Sequence, residues 1–336
     1  MRSLQVHLLH SLLCLGTVFS VFSYARAQTY SVQDLGALDG NTSQAQAINA
    51  GGQVVGYAAT PAPGGAFLYS NNQMINLGTL GGSISLARGI NRWGDVVGYA
   101  TTSRRRYHAF LWSNGTMTDL GPTTYFANAI NDSRQVAGAL ITPDNSAHAF
   151  LYQNGNLQDL GALGGEYSAA YGINSIGQVV GYAYTTAGVF RGFLYDKGSM
   201  TELGTLGGDY SRANAINDSG EITGQAYIPG NAGAHAFLYS NGQMTDLGVL
   251  SGSYSEGDAI NDAGVVVGQA SVRNNTGYLV YHAVIFHGTE AKDLNNLIPA
   301  RSGWVLTQAT GINDAGEIVG YGTFQGQTRA FLLTPR

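Results

Sequence analysis

Residues 235–248 read HAFLYSNGQMTDLG, and residues 108–121 read HAFLWSNGTMTDLG. A chain that writes one passage twice builds one local structure more than once, which restricts it to folds assembled from a repeated unit. An Ile-Asn pair marks each unit: Ile48-Asn49, Ile90-Asn91, Ile130-Asn131, Ile173-Asn174, Ile216-Asn217, Ile260-Asn261 and Ile312-Asn313. The steps between pairs are 42, 40, 43, 43, 44 and 52 residues. That is the length of a propeller blade and about twice that of a β-helix coil.

Four strand-like pieces recur in each unit, designated A to D in chain order. The fifth unit shows them as SRANAIN (211–217), EITGQAY (221–227), HAFLY (235–239) and QMTDLG (243–248). A and B are joined by Asp-Ser-Gly or a relative, a tight turn with a glycine free to take positive φ. C and D are joined by Asn-Gly at 114–115, 154–155 and 241–242, the strongest short hairpin signal. Four short strands with hairpin turns make one antiparallel blade.

The two ends of the repeat complete each other. YSVQDLG (30–36) is a D strand with no A, B or C before it, and RAFLLTPR (329–336) is a C strand with no D after it. Pairing the first with the last removes the free sheet edge of an open array. The expectation is an all-β fold: a seven-bladed β-propeller of four-stranded antiparallel blades, closed by the N-terminal strand pairing into the last blade. Small residues one and three places before each Ile, such as Ala213 and Ala215, put strand A innermost, where the strands crowd together. The C-strand phenylalanines (Phe67, Phe110, Phe150, Phe193, Phe237, Phe331) then fill the wider spaces between blades.

Composition agrees with many short strands and tight turns: 48 Gly, 20 Tyr and only 11% charged residues. The front of the chain reads as a signal peptide, with Arg2, the apolar run LLHSLLCLGTVFSVFSY and an A-x-A box ending at Ala27. The mature chain, 28–336, is expected to be a single seven-repeat propeller domain, secreted or periplasmic. The sole cysteine, Cys14, leaves with the signal, so the core alone must hold the fold. Two of the 16 cations leave as well, taking the net charge from −5 to −7. An acidic balance argues against nucleic acid and against an anionic membrane surface. No later segment approaches the roughly 18 apolar residues of a spanning helix.

The unit A-x-[AG]-I-N-x-x-G-x-V-V-G-Y…H-A-F-L-[YW]-x-N-G-x-M-x-D-L-G-x-L-G-G resembles the bacterial extracellular repeats named HAF, after His-Ala-Phe. The resemblance spans about 30–333. It implies an exported bacterial protein and carries no defined activity with it. His is replaced by Gly65, Arg191 and Arg329 in three units, and the seventh D-to-A connection (295–306) is longer and lacks Leu-Gly-Gly.

Most polar residues repeat with the fold, so their reading is structural. His108, His148, His235 and His282 fall one to a unit on a middle strand, which separates them too far for a metal ring. The D-strand acids Asp34, Asp119, Asp159, Asp246, Asp293 and Glu202 are expected to satisfy turn amides. Asp132, Asp218, Asp262 and Asp314 follow the Ile-Asn pair and read as turn caps, since Ala50, Arg92 and Ser175 take the same place and calcium-loop spacing is lacking. Metalloprotease, phosphate-loop, dinucleotide and nucleophile-elbow motifs are missing. The reading therefore carries no catalytic residue, no cofactor, no metal and no nucleic-acid partner, and a monomer.

Specificity is expected where the units differ. The B-to-C loops change in every unit and share a face with the D-to-A connections, which bring Tyr167, Tyr210 and Tyr254 to equivalent positions. Between the small A-strand residues lie Arg88, Tyr171, Asn214 and Asp258, with Arg212 and Glu256 just before them. Aromatic planes flanked by amides and mixed charges suit a sugar or polar peptide, against the alternative that the tyrosines only pack between blades. The expected function is non-catalytic binding or scaffolding on an extracellular glycan or envelope polymer through these nine residues. The alternatives are a propeller glycoside hydrolase or polysaccharide lyase, for which Arg212, Glu256 and Asp258 are the nearest candidates, and a purely structural envelope or matrix protein.

Overall fold

The computed structural model describes residues 28–336 except Asn275, and the expected signal peptide with Cys14 lies outside the described residues. The described chain folds into 28 strands and two 3-10 turns, Pro229–Asn231 and Leu294–Asn296. Six four-stranded antiparallel sheets each take A, B, C and D from one unit; in the fifth these are Ser211–Ile216, Ile222–Tyr227, Ala234–Ser240 and Gln243–Asp246. The third and fourth touch edge to edge through one parallel pair, Ala147 and Tyr167. The remaining sheet combines Trp304–Ile312, Ile318–Phe324 and Gln327–Pro335 with the first strand, Tyr30–Asp34. Tyr30 lies opposite Pro335 and Asp34 opposite Phe331, antiparallel.

Local sequence explains each turn. At the C–D hairpins Asn241 and Gly242 both take positive φ, 53° and 81°, as a two-residue turn matching strand twist requires. At the A–B turns the Asn of the Ile-Asn pair does the capping: Asn49 Oδ1 accepts from the amides of Gly51 and Gln53 at 3.0 and 2.9 Å.

Strand A is not regular. In every unit its pairing with strand B skips the residue two places before the Ile, leaving it as the extra residue of a β-bulge. In the fifth unit Ala213 faces Gly224 and Ala215 faces Thr223, so Asn214 is unpaired. The bulge brings the A backbone against strand B, and a Cβ placed on Gly224 would lie 2.0 Å from the carbonyl oxygen of Arg212. That contact explains the glycine in each V-V-G of strand B.

The core lies between sheets. Phe67, Phe110, Phe150, Phe193, Phe237 and Phe331 are fully buried, and each apolar cluster joins residues of neighbouring units, as where Val55 and Leu68 meet Ala87, Val96 and Phe110. Val319 and Ala330 of the last unit pack with Ala45, Val54 and Phe67 of the first.

Three polar devices also bridge units. Each Asn of the Ile-Asn pairs donates from Nδ2 to the backbone carbonyl of the next such Asn, at 3.0 to 3.3 Å, and Asn313 donates back to Asn49. Asp132, Asp218, Asp262 and Asp314 accept from the amide of Arg92, Ser175, Asp218 and Asp262 one unit earlier, at 2.8 to 2.9 Å. They are caps, but on the neighbouring turn and not on their own, because the Asn already fills that role. A Ser or Thr early in strand A accepts the amide of the preceding unit's C strand, from Ala66 to Ser85 and so on to Ala330 and Ser43. The sequence reading did not single out this hydroxyl.

The histidines act as expected, with one addition. Nδ1 of His108, His148, His235 and His282 lies 2.7 to 2.9 Å from the D-strand acid of its own unit. Where Arg stands for His, the pairs are Arg191–Glu202 and Arg329–Asp34. Where Gly65 stands there, the acid is also gone and Asn76 takes its place. The acids satisfy turn amides as well, for example Asp246 Oδ1 with the Gly248 amide at 2.7 Å.

Candidate functional site

Gln46, Arg88, Asn128, Tyr171, Asn214, Asp258 and Thr310 are the bulged residues of the seven A strands, and all seven line one cavity of about 340 Å³. A bulge re-aims a side chain away from the sheet, and here it turns one residue per unit inward. A second cavity of about 400 Å³ at the Ile-Asn end shares six of its isoleucines with the first. The residues of the Ile-Asn end repeat from unit to unit, whereas the bulged residues differ almost throughout.

Asn214 and Asp258 of the first cavity's lining adjoin a charge cluster. Arg212 pairs with Glu256, whose carboxylate also accepts from Asn214 Nδ2 at 2.8 Å, Tyr254 Oη at 2.5 Å and Gln269 Nε2 at 3.3 Å. Burial works to raise the Glu256 pKa, but Arg212 and the bonds from Tyr254 and Asn214 outweigh it and hold it low. Asp258 is pushed well above the ordinary carboxylate range, first by burial and then by the Glu256 charge, against a hydrogen bond from Gln308 and the pull of Arg212. Gln308 Nε2 donates to Asp258 Oδ2 at 2.7 Å and its Oε1 accepts from Tyr321 at 2.6 Å. Both oxygens of Glu256 are thus already taken, by Arg212, Asn214, Tyr254 and Gln269, while the Asp258 carboxyl faces the cavity with its pKa raised.

Arg212 stacks over Tyr171 at 5.5 Å, and Arg88 stacks over Tyr99 at 5.7 Å. Arg88 Nε, Arg212 Nε, Asn128 Oδ1 and Gln225 Oε1 are buried without a hydrogen-bond partner, all four on A and B strands around this end of the molecule. Buried polar atoms are normally satisfied, so four such orphans on neighbouring A and B strands are unusual.

The structure brings together Arg212, Asn214, Glu256 and Asp258 with Tyr171 and Tyr254. It places Arg88 elsewhere on the same cavity and Tyr167 and Tyr210 out on the loop face. Tyr167 is exposed, edge-on to Tyr184 at 5.9 Å, and Tyr210 packs on Phe190 at 4.8 Å and Tyr227 at 5.4 Å. Tyr254 departs from the expected role of a free stacking plane: its hydroxyl is bound to Glu256, and burial with that charge pushes its pKa up. Sequence reasoning missed Gln46, Asn128, Thr310 and the tyrosines 99, 107, 125 and 182. The recurring glycine of strand B was the available signal for the first three, since it betrays the bulge opposite it.

No family model and no curated protein matches the chain in sequence. The β-propeller domain of the trilobed protease from Pyrococcus furiosus superposes with a TM-score of 0.51 at 8% identity, over 75% of this chain and 84% of that one. The fold is a β-propeller. A puromycin-hydrolyzing peptidase of Mycobacterium tuberculosis gives a TM-score of 0.50 at 12% identity, over 88% of this chain and 49% of that one. TolB from Acinetobacter baumannii gives 0.49 at 12% identity over 89% of this chain, which spans 65% of that structure. Identities this low speak for the propeller architecture alone. Within this propeller no helix of the described residues is long and apolar enough to cross a membrane.

Proposed function

We propose that the chain is an exported, seven-bladed propeller of the HAF-repeat kind, closed by its first strand, that binds an extracellular glycan or envelope polymer without transforming it. Seven Ile-Asn units, the return of the asparagine bonds from Asn313 to Asn49, and the pairing of Tyr30–Asp34 with Gln327–Pro335 support a closed ring of seven. The binding reading rests on one observation: every unit's bulge turns a side chain into the same cavity, and those side chains are polar and nearly all different. A scaffold needs no such variety. A hydrolase of the two-carboxylate kind needs an ionised carboxylate free to act beside a protonated one, and Glu256 is committed to Arg212, Asn214, Tyr254 and Gln269.

The test is retention of the purified protein on immobilised glycans and envelope fractions, followed by analysis of the retained material for cleavage. Gln46→Ala with Tyr171→Ala should keep the fold and weaken retention at least about tenfold, as loss of an aromatic platform and a polar contact implies. Unchanged retention by this variant removes the cavity from the function, and cleavage of the retained material would revive the hydrolase reading.

A further inference from the structure

Arg88 is the exception among the cations. Among the described residues four cations are not exposed, Arg88, Arg191, Arg212 and Arg329, and all but Arg88 have a carboxylate within reach. Its Nε is buried and unbonded, and its guanidinium is held over the Tyr99 ring. A half-buried charge without a counter-ion is destabilising, so a ligand anion there gains more than it would at the surface.

Beside Arg88 the surface opens into a cleft of about 320 Å³ lined by Arg88, Tyr99, Tyr107, Tyr125 and Phe126 and nothing else. Tyr99, Tyr107 and Tyr125 stand edge-on in succession at 5.6 and 6.2 Å. Tyr107 and Tyr125 are 40% and 42% exposed, so part of each ring is open to a ligand. Arg88 also lines the first cavity together with Asn128, whose Nδ2 is fixed on the Ala170 carbonyl at 2.7 Å, leaving Oδ1 buried and without a donor. The B-to-C loop just before Tyr107 carries Arg104, Arg105 and Arg106, all exposed, and Arg104 and Arg106 line a separate cleft with His108 and Asp119. Residues 79–121 hold five Arg against two Asp in a chain whose net charge is −5.

We propose that this cleft binds a carboxylated sugar unit of an acidic polysaccharide, with the carboxylate on Arg88 and the C–H face of the pyranose on Tyr107 and Tyr125. This deepens the glycan-binding reading and rests on it. The chemistry matches group by group: the anion answers the Arg88 guanidinium, and the apolar ring face answers the tyrosines. An acidic peptide offers the anion without the flat C–H face. Arg104 to Arg106 then act on the polymer's further carboxylates, a screened and salt-dependent attraction.

The experiment is affinity electrophoresis of the full protein through gels containing polygalacturonate, dextran or poly-L-glutamate, with melting temperatures alongside. Wild type should be retarded by polygalacturonate, little by poly-L-glutamate and not by dextran. Arg88→Gln should lose about tenfold or more in affinity, yet melt no lower without ligand, because it removes an uncompensated charge. Tyr107→Ala with Tyr125→Ala alters exposed rings only and should lose affinity similarly, which decides the matter if Arg88→Gln misfolds. Binding by Arg88→Gln or the double Tyr variant equal to wild type, equal retardation by poly-L-glutamate, or no retardation by polygalacturonate overturns the proposal. If glycan or envelope retention through Gln46 and Tyr171 persists in that case, the broader binding function stands and only this cleft is misassigned.

Discussion

Asp258 and Glu256 stand two residues apart on one strand, and their pKa values are driven in opposite directions, Asp258 up and Glu256 down. Folding raises the Asp258 pKa, so the folded protein binds a proton there that the unfolded chain gives up. Its stability contribution is complete below the unfolded carboxyl pKa and declines as pH rises toward the folded one. Asp95 runs the other way: burial raises its pKa, but Arg134, Ser113 and Asn91 outweigh this and hold it low, so its contribution fades in acid. Asp258→Asn keeps the acceptor for Gln308 and cannot ionise. It should unfold at the same urea concentration as wild type near pH 3 and at a higher one near pH 8. Equal midpoints at both pH values would mean that Asp258 is ionised in the fold. The sequence marks both carboxyls as candidates because neither position repeats. Which pKa rises and which falls was not legible, since the answer lies with Arg212, 44 residues before Glu256 and in another sheet. Arg88 shows the same limit, for its lack of a carboxylate is a fact about every neighbour and not about its own segment.

At the scale of elements, hairpin turns and strand order follow from short-range signals, Asn-Gly above all, and the A-to-D order read from them is the order observed. The bulge was not read, although V-V-G repeated in strand B carries its imprint. A strand-interior glycine usually marks a bulge or a close backbone approach, and here it marks both. Gly224→Ala tests the linkage: its Cβ would fall 2.0 Å from the Arg212 carbonyl oxygen and 2.9 Å from the Ala213 Cα, backbone atoms that cannot step aside. The substitution should cost about 3 kcal/mol or more, at the upper end of overpacking effects. It should also weaken ligand retention even at temperatures where the variant is folded, because Asn214 and Arg212 ride on the displaced strand. A destabilised variant that retains ligand normally would separate the bulge from the site, leaving the bulge as a device of packing alone. Full stability would deny the close approach itself.

At the scale of the whole molecule, the first strand contributes more than a frayed end would. Tyr30 is 1% exposed and belongs to the same apolar cluster as Trp304, Phe331 and Leu333. Its amide donates to the Leu297 carbonyl at 2.9 Å, and Arg329 pairs with Asp34 at 3.0 Å. Leu35 lies in the next cluster along, with Val319 and Ala330 from the end of the chain and Ala45 and Phe67 from its beginning. Burying Tyr30 and Leu35 is worth about 1.5–3 kcal/mol for each side chain, before the strand pairing is counted. Removing residues 28–36 should therefore lower the melting temperature by at least about 5 °C. It should also leave the Gln327–Pro335 strand with an unpaired edge and promote aggregation. Adding the free peptide 28–36 to the shortened chain should restore part of the loss, since the edge it fills is otherwise intact. Scanning calorimetry with light scattering reads both effects. A shortened chain that melts with wild type and stays monomeric would show that the ring does not depend on its first strand, and the closed seven-bladed reading would then have to give way to an open array.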